Sequence, residues 1–582
     1  MTAEAAFAEL AKPGPGAGMT LEAVIAELTK PGAEFEIAVT PVSGRPTRVF
    51  TLLEGKSLRD YCEIYGRSWA DRTWLVWNDQ RWTFAQALEI TAQVAASLLD
   101  HGVRRGDRVA IASRNCPEWI WAFQGATSIG AIAVGINSWW QRDELEQALR
   151  DSTPRVLFCD DQRFERVAGS TEAIEHVVVI RPGRPLPPGV HSFDEFISGA
   201  AGRPMPNVTV SSDDDAVILY TSGSTGRAKG AVLSHRNILT ALHEWKLETY
   251  ARYARKPYAP GPGVPEQPAV LLTVPLFHVS GLLAQYLESF IWGEKVVVMH
   301  KWDAAEALRL ITRERITRVS GGPPTVDWDL MQNDAIGETD LTSVTEVGGG
   351  GAARPAENVA RITRTFPNAS PQVGWGMTET SAIGSSAVAE DYARRPTSCG
   401  RPAWILDVKI VDENGNELPT GQAGEIWVRG ASVIRGYWND PQGTAEAITE
   451  GWMHSGDLGY LDPEGFLYIC DRIKDMVIRG GENIHCAEVE AVLYAHPAVL
   501  EVAVFGVPDE RLGEVPAAVI VPRPGCDLGA EDVKRFVAER LAPFKVPEHV
   551  WFRRDRLPRN AAEKIAKRQV RSESLALLGV TP

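Results

Sequence analysis

A run of glycines and small hydroxyls ending in a lysine, Thr221-Ser222-Gly223-Ser224-Thr225-Gly226-Arg227-Ala228-Lys229-Gly230, is the part of this chain best equipped for chemistry. It lies between two short apolar runs, Ala216 to Tyr220 and Ala231 to Leu233, that read as strands. Glycines let a backbone approach a ligand closely and turn its N–H groups toward it. Hydroxyls add donors, and a lysine adds a point charge suited to phosphate. The loop therefore reads as a cradle for a nucleoside triphosphate. The competing reading is a flexible Gly/Ser linker between strands. The loop is not the common Gly-Lys-Ser/Thr fingerprint, because Ala228 precedes Lys229 and Gly230 follows it. Phosphate chemistry here must use a different architecture.

The elements that hold this loop read as alternating helices and strands. Trp82 to Ile111, Glu118 to Val134 and Glu144 to Phe158 each give an amphipathic helix followed by a short apolar strand. That alternation predicts α/β units with mostly parallel sheet. A second such region spans roughly 269–373, with strands at Leu271 to Val274 and Lys295 to Met299 and a helix from Ala304 to Glu314. From about Val408 the pattern turns β-rich and barrel-like, with hairpins marked by Asn414-Gly415 and by Asp462 to Gly465. The last ~110 residues read as a compact α+β unit. The fold class is thus α/β, with a large multi-subdomain N-terminal domain over 1–470 and a small mobile α+β domain over 476–582. Residues 471–475 form a hinge between them, and 1–45 form a partly irregular leader.

Composition narrows the function. At 582 residues the chain exceeds one ordinary core. Apolar content of 44% and charged content of 23% are those of a water-soluble globular protein. A formal charge of −15 gives no global field for nucleic-acid backbones, so no nucleic-acid partner is expected. Seven scattered cysteines form no CxxC pair, which points to reduced thiols and a cytoplasmic setting. No signal sequence and no membrane span are legible. Oligomeric state is left open, homo-oligomers included.

Several further motifs follow the loop in a fixed order. They are Pro275-Leu276-Phe277-His278, Gly374-Trp375-Gly376-Met377-Thr378-Glu379-Thr380, and Gly424-Glu425-Ile426-Trp427-Val428-Arg429-Gly430. Then come Ser455-Gly456-Asp457, Asp471-Arg472-Ile473-Lys474-Asp475, and Lys564 near the end. Together they resemble the adenylate-forming, AMP-binding superfamily of acyl-CoA synthetases, peptide-synthetase adenylation domains and beetle luciferases. The likeness runs from about Trp82 to Arg571. It implies an ATP-dependent acid–thiol ligase. A carboxylate attacks the α-phosphate of ATP to give an acyl-adenylate and pyrophosphate. The thiol of coenzyme A then displaces AMP, after the small domain has rotated about the hinge. A ligase that loads a separate carrier protein, or an amine, and a catalytically silent nucleotide binder are the alternatives.

The resemblance assigns roles by position. Lys564, Thr221, Glu379 and His278 fall at the reacting atoms. Thr221, Ser222, Gly223, Ser224, Thr225, Gly226 and Lys229 grip phosphate, with Thr378 near the α-phosphate and Glu379 as Mg²⁺ ligand. Gly350, Gly351, Ala352, Gly374, Trp375, Gly376 and Met377 surround the nucleotide, and Asp457 with Arg472 meets the ribose. Trp375 stands where the family commonly has Tyr. Lys474 marks the hinge, and Gly480, Gly481 and Glu482 line the pantetheine tunnel. Lys564 bridges carboxylate and α-phosphate. Glu563 stands before it in place of the usual glycine, which predicts a stiffer, more helix-prone loop with a negative charge beside the ammonium.

The acyl pocket is expected around His278, Val279, Ser280, Gly281, Gly322, Gly349 and Gly350. Small residues dominate, and no charged residue is legible there to meet a second charge on the acid. A bulky or long apolar monocarboxylic acid is therefore expected.

Overall fold

The computed structural model describes residues 18–42, 44–221, 228–257, 259–352, 354, 356–480 and 482–577. Its N-terminal part is built on two large sheets. The first has the order Lys229–Ser234, Asp215–Thr221, Ile132–Gly135, Arg108–Ala112, Val156–Asp160, His176–Ile180, Val190–Ser192. Its strands run parallel except the first, which forms a hairpin with Asp215–Thr221. Ala216, Val217, Ile218 and Leu219 are wholly buried, so the strand entering the glycine-rich loop is anchored on both faces.

The second sheet has nine strands among the described residues. Its centre runs Ser370–Trp375, Glu346–Gly350, Arg318–Gly322, Ala269–Leu272 and Lys295–Val298, all parallel. Helices pack on both faces, as a parallel sheet requires. The four consecutive glycines at 348–351 mark a central strand end rather than a free turn. Gly349 pairs with Gly322, and a Cβ on Gly349 would stand 1.9 Å from the Gly322 carbonyl oxygen. Only glycine permits that backbone approach.

The β-rich region is an antiparallel sheet of Asp407–Val411, Gly424–Arg429 and Trp452–Leu461, with Ile448–Thr449 and Leu467–Arg472 against the last. Residues 413–416 form a turn rather than a strand, with Gly415 at φ 81° and the Asp412 carboxylate accepting from Asn414 N and Asn416 N. After Arg472 the chain turns and starts a separate sheet, in which Val499–Asp509 and Gly513–Pro522 form a long hairpin flanked by helices Cys486–Tyr494 and Ala530–Ala538. The architecture is a large mixed α/β domain followed by a smaller α+β domain.

Two regions differ from expectation. The segment 1–45, expected as a partly irregular leader, contains helix Leu21–Thr29 and the strand Ile37–Val42, which pairs with Arg45–Phe50, while 1–17 lie outside the described residues. Val24, Ile25, Phe35 and Phe50 drive this order by entering the main core. The second is a long helix, His235–Arg255, which sequence periodicity did not reveal. It is buried along much of its length, polar residues included, so no clean apolar stripe marks it. Its start was legible: the Ser234 hydroxyl accepts from Asn237 N while the Asn237 side chain accepts from Ser234 N. Among the described residues no helix is long and apolar enough to cross a membrane.

Candidate functional site

The two domains meet over one continuous cleft of about 3330 Å³. Thr221, Lys229, Gly350, Gly351, Ala352, Gly374, Trp375, Gly376, Met377, Thr378, Glu379, Asp457, Arg472, Lys474 and Lys564 all line it. Ser222, Gly223, Ser224, Thr225, Gly226 and Gly481 lie outside the described residues.

The Asp457 corner is set by sheet register. Asp457 and Arg472 face each other across neighbouring strands, and Arg472 Nε lies 3.1 Å from Asp457 Oδ1. Trp375 Nε1 donates to Asp457 Oδ2 at 2.8 Å. Glu425 supports the turn before Asp457 by accepting from Gly456 N at 3.0 Å. This gives the Gly424-to-Gly430 motif a structural task.

Glu379 is 6% exposed. Tyr437, which sequence reasoning missed, donates its hydroxyl to Glu379 Oε1 at 2.8 Å. Burial raises the Glu379 carboxyl pKa, and the tyrosine bond opposes that rise. The Lys229 ammonium sits 5.1 Å from the Tyr437 ring centroid and 3.9 Å from Asp440 Oδ2. Lys229, Tyr437 and Glu379 thus form one chain across the mouth of the glycine-rich loop. Among the described residues no three His, Cys, Asp or Glu side chains cluster as a metal cage. A single carboxylate is what Mg²⁺ takes when substrate phosphates supply other ligands, so Glu379 fits that use.

Lys564 reaches this cleft from the small domain. Its ammonium lies so close to Gly351 that a Cβ there would be 2.5 Å from Nζ. Burial lowers its pKa to about 8, helped by repulsion from Arg472 and opposed by Asp457. His278 lies beyond it. Burial first, then the Lys564 ammonium, depress the His278 pKa to about 3, so the imidazole is neutral near pH 7. Its Nε2 has no hydrogen-bond partner among the described residues.

The loop carrying Lys564 is a hydrogen-bonded turn, not a helix. Asn560 N donates to Lys564 O, Glu563 N donates to Asn560 O, and Asn560 Oδ1 accepts from Ala562 N and Lys564 N. Glu563 adopts φ 60°, the left-handed conformation a glycine would take freely. Thr325 Oγ1 of the large domain donates to Glu563 O at 2.7 Å. The Glu563 carboxylate lies 3.7 Å from Arg559 Nη1, and Arg559 also holds Asp329 and Glu501. The expected helix-prone loop is therefore corrected. Its side-chain charge is met by Arg559, and its backbone is tied to the large domain.

The acyl-pocket expectation needs two corrections. His278, Val279, Ser280, Gly321, Gly349 and Gly350 line the cleft, and Gly322, expected there too, does not. Gly281 is buried within the Ser280–Leu287 segment, where a Cβ would stand 2.4 Å from the Pro275 carbonyl oxygen. It shapes the wall from behind. More important, charged residues do reach this cavity: Glu248 and Arg252 from the unforeseen helix, Glu346 from a strand, and Arg318 with Glu288 and Glu294. Gly480 and Glu482 are exposed, Gly480 just after strand Val477–Arg479 and Glu482 at the start of strand Glu482–Ile484, and neither lines the cleft.

Comparison with known proteins follows this geometry. The AMP-binding enzyme family model matches residues 63–438, and the AMP-binding enzyme C-terminal domain model matches 488–564. The chain is 35% identical over 490 residues to a feruloyl-CoA synthase of Amycolatopsis sp, covering 84% of this chain and 93% of that one. Among solved structures it is similar to the anthranilate CoA ligase AuaEII in complex with anthranoyl-AMP, with TM-score 0.81, 26% identity and coverage of 90% and 98%. It is also similar to the amide bond synthetase McbA from Marinactinospora thermotolerans, with TM-score 0.76, 27% identity and coverage of 89% and 99%.

Proposed function

The chain belongs to the AMP-binding, adenylate-forming enzyme family, in its acyl-CoA ligase branch, and from that premise we propose that it activates a bulky or long, largely apolar carboxylic acid with ATP and passes the acyl group to coenzyme A. In the first half a carboxylate oxygen attacks the α-phosphorus, and the bond to pyrophosphate breaks. In the second, the coenzyme A sulfur attacks the acyl carbonyl, AMP leaves, and the thiol proton goes to solvent.

The observation that carries this reading is the position of Lys564, brought from the far domain to Gly351 among His278, Asp457 and Arg472. A cation there offsets the negative charge of carboxylate and α-phosphate as they approach. No general base is needed, since a carboxylate is ionised at neutral pH. The neutral His278 imidazole serves as a wall of the acyl site and not as a proton carrier. Lys229 and Thr221 hold the phosphate end, and Asp457 orients the ribose. Mg²⁺, when held by Glu379, would neutralise charge on the phosphates. Thioester formation needs Lys564 withdrawn, and we assign 471–475, with Lys474, as the hinge that lets Gly480 to Glu482 approach.

A second acceptor is kept in view by the likeness to an amide bond synthetase. The test is a panel of carboxylic acids read by ATP–pyrophosphate exchange, followed by mass spectrometry of products with coenzyme A, a carrier-protein thiol or an amine. Acyl-CoA formation supports the proposal. Exchange without acyl-CoA, but with an amide or acyl-carrier product, would replace its second half.

A further inference from the structure

Glu244, Glu248 and Arg252 stand at i, i+4 and i+8 on the helix His235–Arg255, on one face. Glu244 is wholly buried, and its Oε1 accepts from Trp404 N at 2.6 Å. The next two reach the cleft. Glu248 Oε2 accepts from Ser386 Oγ at 2.9 Å, and Oε1 takes no hydrogen bond among the described residues. Arg252 Nη2 donates to the Tyr253 hydroxyl at 3.1 Å and lies 3.6 Å from Glu346 Oε1. Its Nε is buried without a partner. An acceptor and a donor therefore sit one helical turn apart on the wall of a cavity, within electrostatic reach of each other. Burying the Arg252 Nε without a partner among the described residues is costly, so a site that keeps it has a use for a polar ligand.

Strand register locates the pair. Ser386 is opposite Gly374, and Gly374 is opposite Gly350, so Ser386, whose hydroxyl holds Glu248, stands two strand spacings from Gly350, roughly 10 Å. Glu346 is four residues up its strand from Gly350, roughly 13 Å. Both positions are at the far end of an acid whose carboxylate meets Lys564 beside Gly351.

We infer that Glu248 and Arg252 select an acid carrying a hydroxyl about 10 to 13 Å from its carboxylate. This rests on the proposed acid activation and sharpens its substrate class. A hydroxyl donates to Glu248 and accepts from Arg252 at once. A second carboxylate would meet the excess of Glu248, Glu288, Glu294 and Glu346 over Arg252 and Arg318. Arg318 offers no relief, because Glu288, Glu294 and the Ala284 carbonyl occupy its guanidinium. An ammonium would meet the Arg252 cation on one side and the Glu248 and Glu346 carboxylates on the other, and the amino analogue in the test decides between it and a hydroxyl. A purely hydrocarbon end would leave Glu248 and Arg252 desolvated.

The test compares decanoic acid with its terminal hydroxy, amino and dicarboxylic analogues in ATP–pyrophosphate exchange. Wild type, Glu248→Leu, Glu248→Gln and Arg252→Met are measured, with ATP affinity by calorimetry as the check on folding. The expected result is kcat/KM at least about tenfold higher for the hydroxy acid than for decanoic acid. Glu248→Leu and Arg252→Met should bring that ratio near one without changing ATP affinity, and Glu248→Gln should retain part of it. A merely structural role would lower both acids together and leave the ratio intact. Preference for decanoic, amino or dicarboxylic acid, or a ratio that survives both substitutions, overturns the inference and leaves acid activation standing. Failure of every acid to support exchange removes both.

Discussion

The indole Nε1 of Trp375 donates to Asp457 Oδ2 at 2.8 Å, tying two walls of the cleft together. Asp457 also meets Arg472, whose side chain is 51% exposed. An exposed ion pair contributes about 0–1 kcal/mol, whereas a buried hydrogen bond to a charged group contributes about 1.5–3 kcal/mol. The indole therefore dominates the orientation of Asp457.

Trp375→Phe keeps an aromatic face but removes this donor. The expected outcome is a KM for ATP raised about 5- to 30-fold in pyrophosphate exchange, with the maximal rate less affected. An unchanged KM would show that Asp457 is oriented without the indole.

Gly351→Ala places a methyl where the Lys564 ammonium lies. Gly351 also has φ 82°, which alanine tolerates poorly. Adenylation should fall by about 10²-fold or more, while thioester formation from supplied acyl-adenylate should fall less. Equal loss in both half-reactions would mean that the variant has damaged the cleft in general.

The Lys564 pKa of about 8 gives a pH signature. Below that pH the ammonium is charged, and above it charge is lost. The kcat/KM for adenylation should therefore hold level up to about 8 and decline beyond it. Lys564→Arg should remove that descending limb, because a guanidinium stays charged. The stability sign is opposite. The native lysine holds fewer protons than the unfolded one between about 8 and the ordinary lysine value of 10.5, so its contribution to stability rises with pH there.

Thr325→Val removes the hydroxyl that holds Glu563 O. Losing about 1 kcal/mol from the docked arrangement should slow adenylation about fivefold. Glu563→Gly relieves the left-handed backbone but loosens the unfolded chain, so the net stability change should stay within about 1 kcal/mol. Loss of Thr325 without any change in adenylation would show that the loop docks through Lys564 and the Arg559–Asp329 pair instead.

Much of this site could be read from residue order. Strand Asp215–Thr221 was legible from its apolar run, whereas the 374–380 motif, Asp457, Arg472 and Lys564 were legible only through the family resemblance that their order carries. Tyr437 was not, because its link to Glu379 crosses 58 residues and no local pattern announces it. Glu248 and Arg252 were missed because their helix hides its polar residues among buried ones. The Glu563 turn was misjudged because propensity favours helix there, while Asn560 and Thr325 impose a turn. Local propensity gave way to tertiary hydrogen bonds.

As proposed above, Lys564 completes the adenylation site from the other domain. This is tested by ATP–pyrophosphate exchange of Lys564→Ala, measured beside the rate at which the same protein makes thioester from supplied acyl-adenylate. Exchange is expected to fall by about 10²- to 10³-fold while thioester formation persists. Exchange at wild-type rate would contradict it.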